Sequence, residues 1–391
     1  MRRSYKFLIR PTVKQAAALV SMLEDHRELY NAALEHRKGA WQRAGVTIRY
    51  GDQSADLKHI RRADPNGQGR WSFCSQQATL RRLDKGFAAF FRRVKAGDKP
   101  GYPRFKGRGW FDTVEWPEDG DGCRWDSQPG DQVRVRFQGV GHVKVNQHRL
   151  VRGTVKTVSV KREGRRWYVI LSCDNVPEEL LPVTGAVTGI DMGVVSFLTT
   201  SEGTHVANPR YLTTSQNRLA AAQRVLARRN RGSRRRGKAR DHVAAVHRKI
   251  RNQRLDFAHK TALKLVHDHD LIAHESLRIT NMTRSASGTL EEPGTGVAAK
   301  SGLNMSILDA GWGLFLSVLH AKAESAGRMV PEVQARHTSQ QCARCGHVAA
   351  GNRVSQAEFR CLSCGYLAHA DENAAQNILR AGLALQVAQA A

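Results

Sequence analysis

Four cysteines near the C-terminal end stand as Cys342-x2-Cys345 and, fifteen residues later, Cys361-x2-Cys364. Two such pairs can close a tetrahedral four-sulfur zinc site, because the x2 spacing turns the chain back so that both thiolates of a pair reach one ion. A glycine follows the second cysteine of each pair (Gly346 and Gly365), where a tight turn with its N–H groups facing sulfur favours one. Carboxylates form the second candidate centre. Asp191 lies inside the apolar run Thr188-Gly-Ile-Asp-Met-Gly-Val194, Glu275 ends the apolar run Leu271-Ile-Ala-His-Glu275, and Asp371 opens a helical pattern seven residues after the last cysteine. An aspartate in an apolar strand is costly unless it is paired or binds a cation. Three acids that converge could hold Mg²⁺, which prefers hard oxygen ligands, and two such ions about 3.5–4 Å apart carry out phosphodiester hydrolysis. Taken singly, Asp371 also suits a helix cap, Glu275 a strand end and Asp191 a turn.

Charge decides between these readings. The 391 residues carry 62 Lys+Arg against 35 Asp+Glu, a formal net charge of +27. Unneutralised, that excess would strain a compact chain, so it points to a polyanionic partner, nucleic acid ahead of an anionic membrane. An acidic metal site inside a basic chain is what a nuclease requires. No Walker motif and no Ser-His-Asp spacing supports an ATPase or acyl-transfer reading. No run of eighteen apolar residues is present, and Met1-Arg2-Arg3 leads into an alternating segment, so the expectation is a soluble, intracellular protein with no membrane partner. Cys74, Cys123 and Cys173 are scattered, as in a reducing compartment. The 41% hydrophobic content is enough for two or three cored domains.

Two stretches are candidate nucleic-acid contacts. In Lys99 to Trp110, Tyr102, Phe105 and Trp110 interleave with Arg104, Lys106 and Arg108, a pattern in which rings stack on bases and cations hold phosphates; docking of those rings on a neighbouring core is an equal alternative. Arg228 and Arg229 lead into Arg231-Gly-Ser-Arg234-Arg235-Arg236-Gly-Lys238-Ala-Arg240, expected as a loop whose guanidinium forks suit phosphate oxygens.

The elements that must position these groups are read from periodicity. Tyr5 to Ile9 alternates as a strand, and Thr12 with Gln15 makes a capping box at the head of a helix bearing Leu19, Leu23, Tyr30 and Leu34. Leu80, Leu83, Phe87, Phe90, Phe91 and Val94 mark a second helix and are expected in the core; Arg37 to Arg70 reads as irregular surface. From Val133 to Cys173 the period becomes two, which with the N-terminal strand suggests a small β-barrel interrupted by the helices. Pro182 to Gly185 reads as a linker. Beyond it come strand Ala186–Met192, helices Thr214–Arg229 and Asp241–Asp268, strand Leu271–Glu275, the cysteine ribbon and helix Asp371–Leu385.

At these residues the chain resembles the TnpB family, the RNA-guided nucleases of small bacterial insertion sequences, similar in turn to compact type V CRISPR effectors. The resemblance rests on Gly189-Ile-Asp191-Met-Gly193, Glu275 with Leu277 and Asn281-Met282, Thr338-Ser-Gln340-x-Cys342-x2-Cys345-Gly346, and Asp371-x-Asn373-Ala-Ala-x-Asn377-Ile378. Pro11-Thr12-x2-Gln15, Tyr30-Asn31 and Pro103-Arg-Phe-Lys106 extend it to nearly the whole chain. It implies a mixed α+β and α/β multidomain fold: a β-barrel wedge domain (1–10 and 99–181), a helical recognition insert (11–98), a RuvC-like nuclease of RNase H architecture (182–337 and 367–391) and a zinc ribbon (338–366). It further implies Asp191, Glu275 and Asp371 as Mg²⁺-binding catalytic acids, one structural Zn²⁺ on Cys342, Cys345, Cys361 and Cys364, and a guide RNA from the transposon end. Double-stranded DNA next to a short target-adjacent motif would be cut by a monomer or dimer on that RNA, in a bacterial cytoplasm on the nucleoid. The family's usual Glu-Asp-Leu is here Glu275-Ser276-Leu277, which removes a carboxylate beside the metal ligands. A guided DNA-binding repressor with little cutting and a DNA-joining transposase are the competing functions.

Overall fold

The computed structural model describes residues 1–126, 132–289, 291–334 and 336–390, and the chain divides into two compact units, Met1–Pro177 and Glu178–Ala391. In the first unit, β1 (Arg3–Arg10) precedes helices α1 (Val13–Ala44), α2 (Tyr50–Ala63) and α3 (Phe73–Lys95). Six strands follow: β2 (Thr113–Trp116), β3 (Cys123–Asp126), β4 (Arg134–Phe137), β5 (Gly141–Asn146), β6 (Thr154–Glu163) and β7 (Arg166–Asp174). They form a seven-stranded sheet in the order β2-β6-β7-β1-β5-β4-β3, and every pairing is antiparallel. The N-terminal strand therefore sits at its centre. Period-two alternation buries Tyr5, Phe7 and Ile9 of β1 with Val158, Val160, Val169 and Leu171, against Leu19, Leu80 and Leu83 of the helices. Among the described residues, the end strands β2 and β3 are not hydrogen-bonded to each other.

Thr12 and Gln15 make the expected reciprocal cap of α1, the Gln15 amide donating to Thr12 Oγ1 and the Thr12 amide to Gln15 Oε1. Two expectations fail here. Most of Arg37 to Arg70 is helical, in the end of α1 and in α2, because Arg37 is buried where it donates to Gln53 Oε1 (2.8 Å) and Asp84 Oδ1 (2.9 Å), and Leu57 packs into the core. A helix held by buried polar pairs and one leucine shows no apolar stripe. The last turns of α3 leave the core: Phe91 is 57% and Val94 49% exposed, and Phe90, Phe91 and Tyr102 form an aromatic group with Phe87, which itself still packs against the core.

The second unit contains β8 (Val187–Met192), β9 (Ser196–Thr200), β10 (His205–Ala207), α4 (Tyr211–Ala227), α5 (Arg234–Asp268), β11 (Leu271–Glu275), α6 (Ile279–Met282), α7 (Val297–Ala310), α8 (Trp312–Ala326), β12 (Glu332–Val333), β13 (Glu358–Arg360), β14 (Leu367–His369) and α9 (Ala370–Ala390). Its five-stranded sheet runs β10-β9-β8-β11-β12; the first two pairings are antiparallel, and β8–β11 and β11–β12 are parallel. A parallel neighbour needs a crossover, and α4 with α5 supplies it between β9–β10 and β11. The arginine-rich stretch expected as a loop is mostly helix: Ser233 caps α5, accepting the Arg236 amide at 3.1 Å, and Arg234 onward is helical. In the Pro182 to Gly185 segment, the amides of Thr184 and Gly185 donate to the Asp270 carboxylate, which also pairs with Arg328 at 2.6 Å.

Helices cover both faces of this sheet. Ile190, Met192 and Ile272 pack with α5 and α8 through Ala262, Val266, Phe315 and Leu319, whereas Leu271 and Ala273 pack with Ile378 of α9. The stretch Val297–Ala326 is long and apolar enough to cross a membrane by length and composition; Gly311 (φ 72°) breaks it into α7 and α8, and Phe315, Leu319 and Ala323 are buried in the core. Gly189 lies directly under α9. A Cβ built on it would come within 2.2 Å of the Ala375 carbonyl oxygen and 2.6 Å of the Leu379 nitrogen, so only glycine admits this approach of strand to helix.

Candidate active site

Strand alternation aims the acids. In β11, Glu275 falls on the same face as Leu271 and Ala273, the side that α9 covers; in β8, Asp191 shares a side with Gly189, which touches α9. With Gly189 paired to Ala273 and Ile190 to His274, Asp191 and Glu275 stand side by side at the carboxyl ends of two parallel strands. Asp371 comes from the first turn of α9 on that face. All three line one cavity of about 320 Å³ together with Thr338, Arg353 and Gln356, and Met282, Leu303, Ile307 and Trp312 form its apolar wall.

The electrostatics of the cavity favour a cation. Burial, followed by the charges of Glu275 and Asp371, pushes the Asp191 carboxyl up to about 7, against the pull of Arg353 and the Met192 amide. Burial also raises Glu275, opposed by a hydrogen bond from Thr338 Oγ1 and by the charge of Arg353. Arg353 Nη2 lies 3.3 Å from Asp371 Oδ1, so one guanidinium faces three carboxylates. Carboxylates gathered in a partly buried cavity, two of them with raised pKa, are a donor set that divalent cations fit.

The cysteine ribbon is folded around its sulfurs. Cys342 and Cys364 Sγ are 3.7 Å apart, and Cys345 and Cys361 Sγ 3.6 Å. These separations match the edge of about 3.8 Å for a tetrahedron with Zn–S bonds of ~2.3 Å, and all four thiols are free of disulfides, so the cluster can hold zinc. Both knuckles turn as their glycines demand: Gly346 (φ 79°) donates to the Cys342 carbonyl and Gly365 (φ 69°) to that of Cys361. Buried asparagines fasten the ribbon to α9. Asn373 accepts the Ala343 amide at 2.9 Å and donates to the Gln341 carbonyl at 2.8 Å; Asn377 donates to the carbonyls of Thr338 (2.9 Å) and Gln341 (2.7 Å). Arg353, from the segment between the knuckles, thus reaches the acids from the ribbon side.

The structure distributes the nucleic-acid candidates unevenly. Phe105 and Trp110 are exposed by 68% and 81%, whereas Tyr102 packs edge-on against Phe87 (5.5 Å) and Phe90 (5.3 Å). The Lys106 backbone is clasped by the Asn31 side chain, its ammonium lies 5.6 Å over the Tyr30 ring, Arg108 lies 3.8 Å from Glu24, and Arg104 is exposed. Arg228, Arg229, Arg231, Arg234, Arg235, Lys238 and Arg240 are exposed around the α4–α5 turn, whereas Arg236 donates to the carbonyls of Leu226 (3.0 Å) and Arg229 (2.7 Å), holding that turn together. Arg218, Arg229, Arg235, Lys238 and His242 line a groove of about 560 Å³ between the two helices. Sequence reasoning missed Arg353, Gln356 and Trp312 as cavity residues. Thr338 stood in a motif but had no role there, and only its position ahead of Cys342 could have signalled one.

Three family descriptions match. "Probable transposase" (OrfB_IS605) covers residues 171–286, the Cas12f1-like TNB domain 312–378, and "Helix-turn-helix domain" (HTH_OrfB_IS605) 1–45, a stretch that folds here as β1 and the single helix α1. The chain is 33% identical over 387 residues to the putative RNA-guided DNA endonuclease InsQ of Escherichia coli K12, covering 98% of this chain and 93% of that protein. It is 31% identical over 399 residues to a putative RNA-guided DNA endonuclease of Streptomyces pristinaespiralis, covering 98% and 90%. Among solved structures, that of a mini-RNA-guided endonuclease, CRISPR-Cas_phi3, aligns with 98% of this chain and 92% of that one, at 10% identity and a TM-score of 0.47. Near full-length identity above 30% to two such relatives means that the chain belongs to the TnpB family.

Proposed function

We propose that the protein is an RNA-guided DNA endonuclease of a transposable element, which cuts DNA paired to its guide next to a short target-adjacent motif. The observation that carries this reading is the convergence of Asp191, Glu275 and Asp371, from segments 180 residues apart, in one cavity where Asp191 is pushed up to about 7. The names of the full-length relatives support the guided, DNA-cutting part of it. Asp191, Glu275 and Asp371 would hold two Mg²⁺ ions, which when bound supply an activated water and neutralise charge on the phosphate. This chain's residues do the rest. Thr338 fixes Glu275 by donating to its Oε1, and Arg353, released from Asp371, offers a planar fork to phosphate oxygens. The apolar wall of Met282, Leu303, Ile307 and Trp312 limits water around the acids.

The domain reading follows the same lines. The seven-stranded sheet (1–10 and 99–181) serves as the wedge barrel, 11–98 as the recognition insert that reads the target-adjacent motif, 182–337 with 367–391 as the RuvC-like nuclease, and 338–366 as the ribbon with a structural zinc on Cys342, Cys345, Cys361 and Cys364. The exposed Phe105, Trp110, Arg104 and the arginines of the α4–α5 turn contact guide or target, in a bacterial cytoplasm on the nucleoid. The intact acids favour cutting over a repressor role. Sequencing the RNA that co-purifies with the protein, then assaying cleavage of DNA matched to it, tests the proposal: a defined transposon-end RNA and Mg²⁺-dependent cutting are expected. No bound RNA, or cutting unchanged by Asp191→Ala, would overturn it.

A further inference from the structure

A second cluster of metal-ligating side chains lies beside the acids and belongs to neither centre described above. His205 begins β10, His369 ends β14, and Glu372 stands in the first turn of α9; their candidate ligand atoms all lie within 4.8 Å of one another. His205 Nε2 is 3.0 Å from Glu372 Oε1, and the two imidazoles meet edge to face with centroids 4.7 Å apart. The other nitrogen of His205 is already served: its Nδ1 lies 3.1 Å from Thr199 Oγ1 and 3.3 Å from Ser196 Oγ. A hydroxyl on one ring nitrogen fixes the imidazole and leaves the opposite nitrogen to the ligand, which is the outer support that metal-binding histidines carry. His369 is held more loosely, by a 3.3 Å contact in which the Asp371 amide donates to Nδ1. A metal–nitrogen bond is about 2.1 Å, so two ligands of one ion are at most ~4.2 Å apart. The cluster therefore closes with shifts of less than about an ångström, as its half-exposed side chains permit.

We propose that His205, His369 and Glu372 form a binding site for one divalent transition-metal ion, Zn²⁺ or its neighbours, distinct from the four-cysteine site and from the carboxylate cavity. Two imidazoles and one carboxylate select borderline ions over Mg²⁺, whereas the neighbouring all-carboxylate cavity selects the reverse. The ligands come from the β9–β10 hairpin, strand β14 and the start of α9, so one ion ties together three elements around the first turn of α9. His369 and Glu372 bracket Asp371 in sequence. Metal bound there draws the His369 lone pair away from the Asp371 amide and adds a second tie, beside the asparagine contacts, on the first turn of α9.

The test is metal stoichiometry and spectroscopy on the full chain, with no cleavage readout needed. Protein carrying zinc at the cysteines is titrated with Co²⁺, then with Zn²⁺ in competition. The expected result is one further ion per chain, with cobalt absorption lacking any thiolate-to-metal charge-transfer band. His205→Ala and Glu372→Gln, each checked for an unchanged melting temperature before titration, are expected to weaken that ion at least tenfold while the cysteine-bound zinc stays. If either variant melts lower, His205→Gln, which keeps side-chain bulk and polarity, replaces it in the same titration. No further equivalent in the wild type, or a further equivalent bound equally well by the variants, would overturn the proposal.

Discussion

The cysteine ribbon and the carboxylate cavity are both clusters of like groups that metal ions suit, and they are built in opposite ways. The four sulfurs come from 23 consecutive residues, Cys342 to Cys364, and two of them, Cys345 and Cys364, are exposed. The ribbon's sulfur geometry is set by two local turns, and Asn373 and Asn377 of α9 hold the ribbon in place. The three acids come from two strands and a helix and meet only because the sheet, its crossover and α9 are all in place. A local site is a folding device, whereas a dispersed one draws on the stability of its scaffold. The raised pKa of Asp191 is the mark of that demand: the fold buries this carboxyl first and sets the charges of Glu275 and Asp371 beside it second.

The largest effect expected is on chemistry. Asp191→Ala or Asp371→Ala should lower guide-dependent DNA cleavage by about a thousandfold or more, several kcal/mol of barrier, with co-purifying RNA retained; single-turnover cleavage measures it. Next is a gain in stability. Because the folded state raises the Asp191 pKa from 3.8 to about 7, its ionisation costs the metal-free fold nothing below pH 3.8, progressively more as pH rises, and its full amount above about 7. Asp191→Asn should therefore stabilise the protein in chelator at pH 8 by on the order of 2–4 kcal/mol and leave it unchanged at pH 4. Denaturant melts at the two pH values measure this, and equal stability at pH 8 would mean that the cavity is not electrostatically strained.

Breaking the ribbon should have the intermediate outcome. Cys342→Ser should abolish zinc retention, expose the backbone of residues 338–366 to hydrogen exchange, and reduce cleavage ten- to a hundredfold through Asp371, with exchange in β8 and β11 unchanged. Global loss of protection would show that the ribbon is not the self-contained device its geometry suggests. The smallest effect belongs to Thr338→Val, which removes the donor to Glu275 Oε1; about a tenfold loss of cleavage is expected, with the Mg²⁺ requirement shifted upward.

The same contrast explains what the sequence revealed. Cys342, Cys345, Cys361 and Cys364 were legible because their spacing is itself the geometry. Asp191 and Glu275 were visible as carboxylates in apolar runs, and the strands that carry them were placed to within a few residues, but nothing local says that they share a face with α9. That required the parallel pairing of β8 with β11. Arg353 was invisible: an arginine in a chain with so many carries no signal until the ribbon folds it onto Asp371. The helices of residues 37–70 were missed because buried pairs such as Arg37 with Gln53 replace the apolar stripe that pattern reading relies on. The aromatic end of α3 was placed in the core because spacing identifies a helical face and not what covers it.

Gly189 offers a handle on the nuclease that is mechanical and not chemical. The strand bearing Asp191 and the helix bearing Asp371 touch backbone to backbone at this residue, and further along the helix a Cβ on Gly382 would come within 2.5 Å of Ala273 Cβ on the strand of Glu275. The two glycines let α9 lie close against the strands that carry Asp191 and Glu275. A methyl at either position would force α9 away from the strands, and Asp371 away from Asp191 and Glu275, without altering any of the three acids.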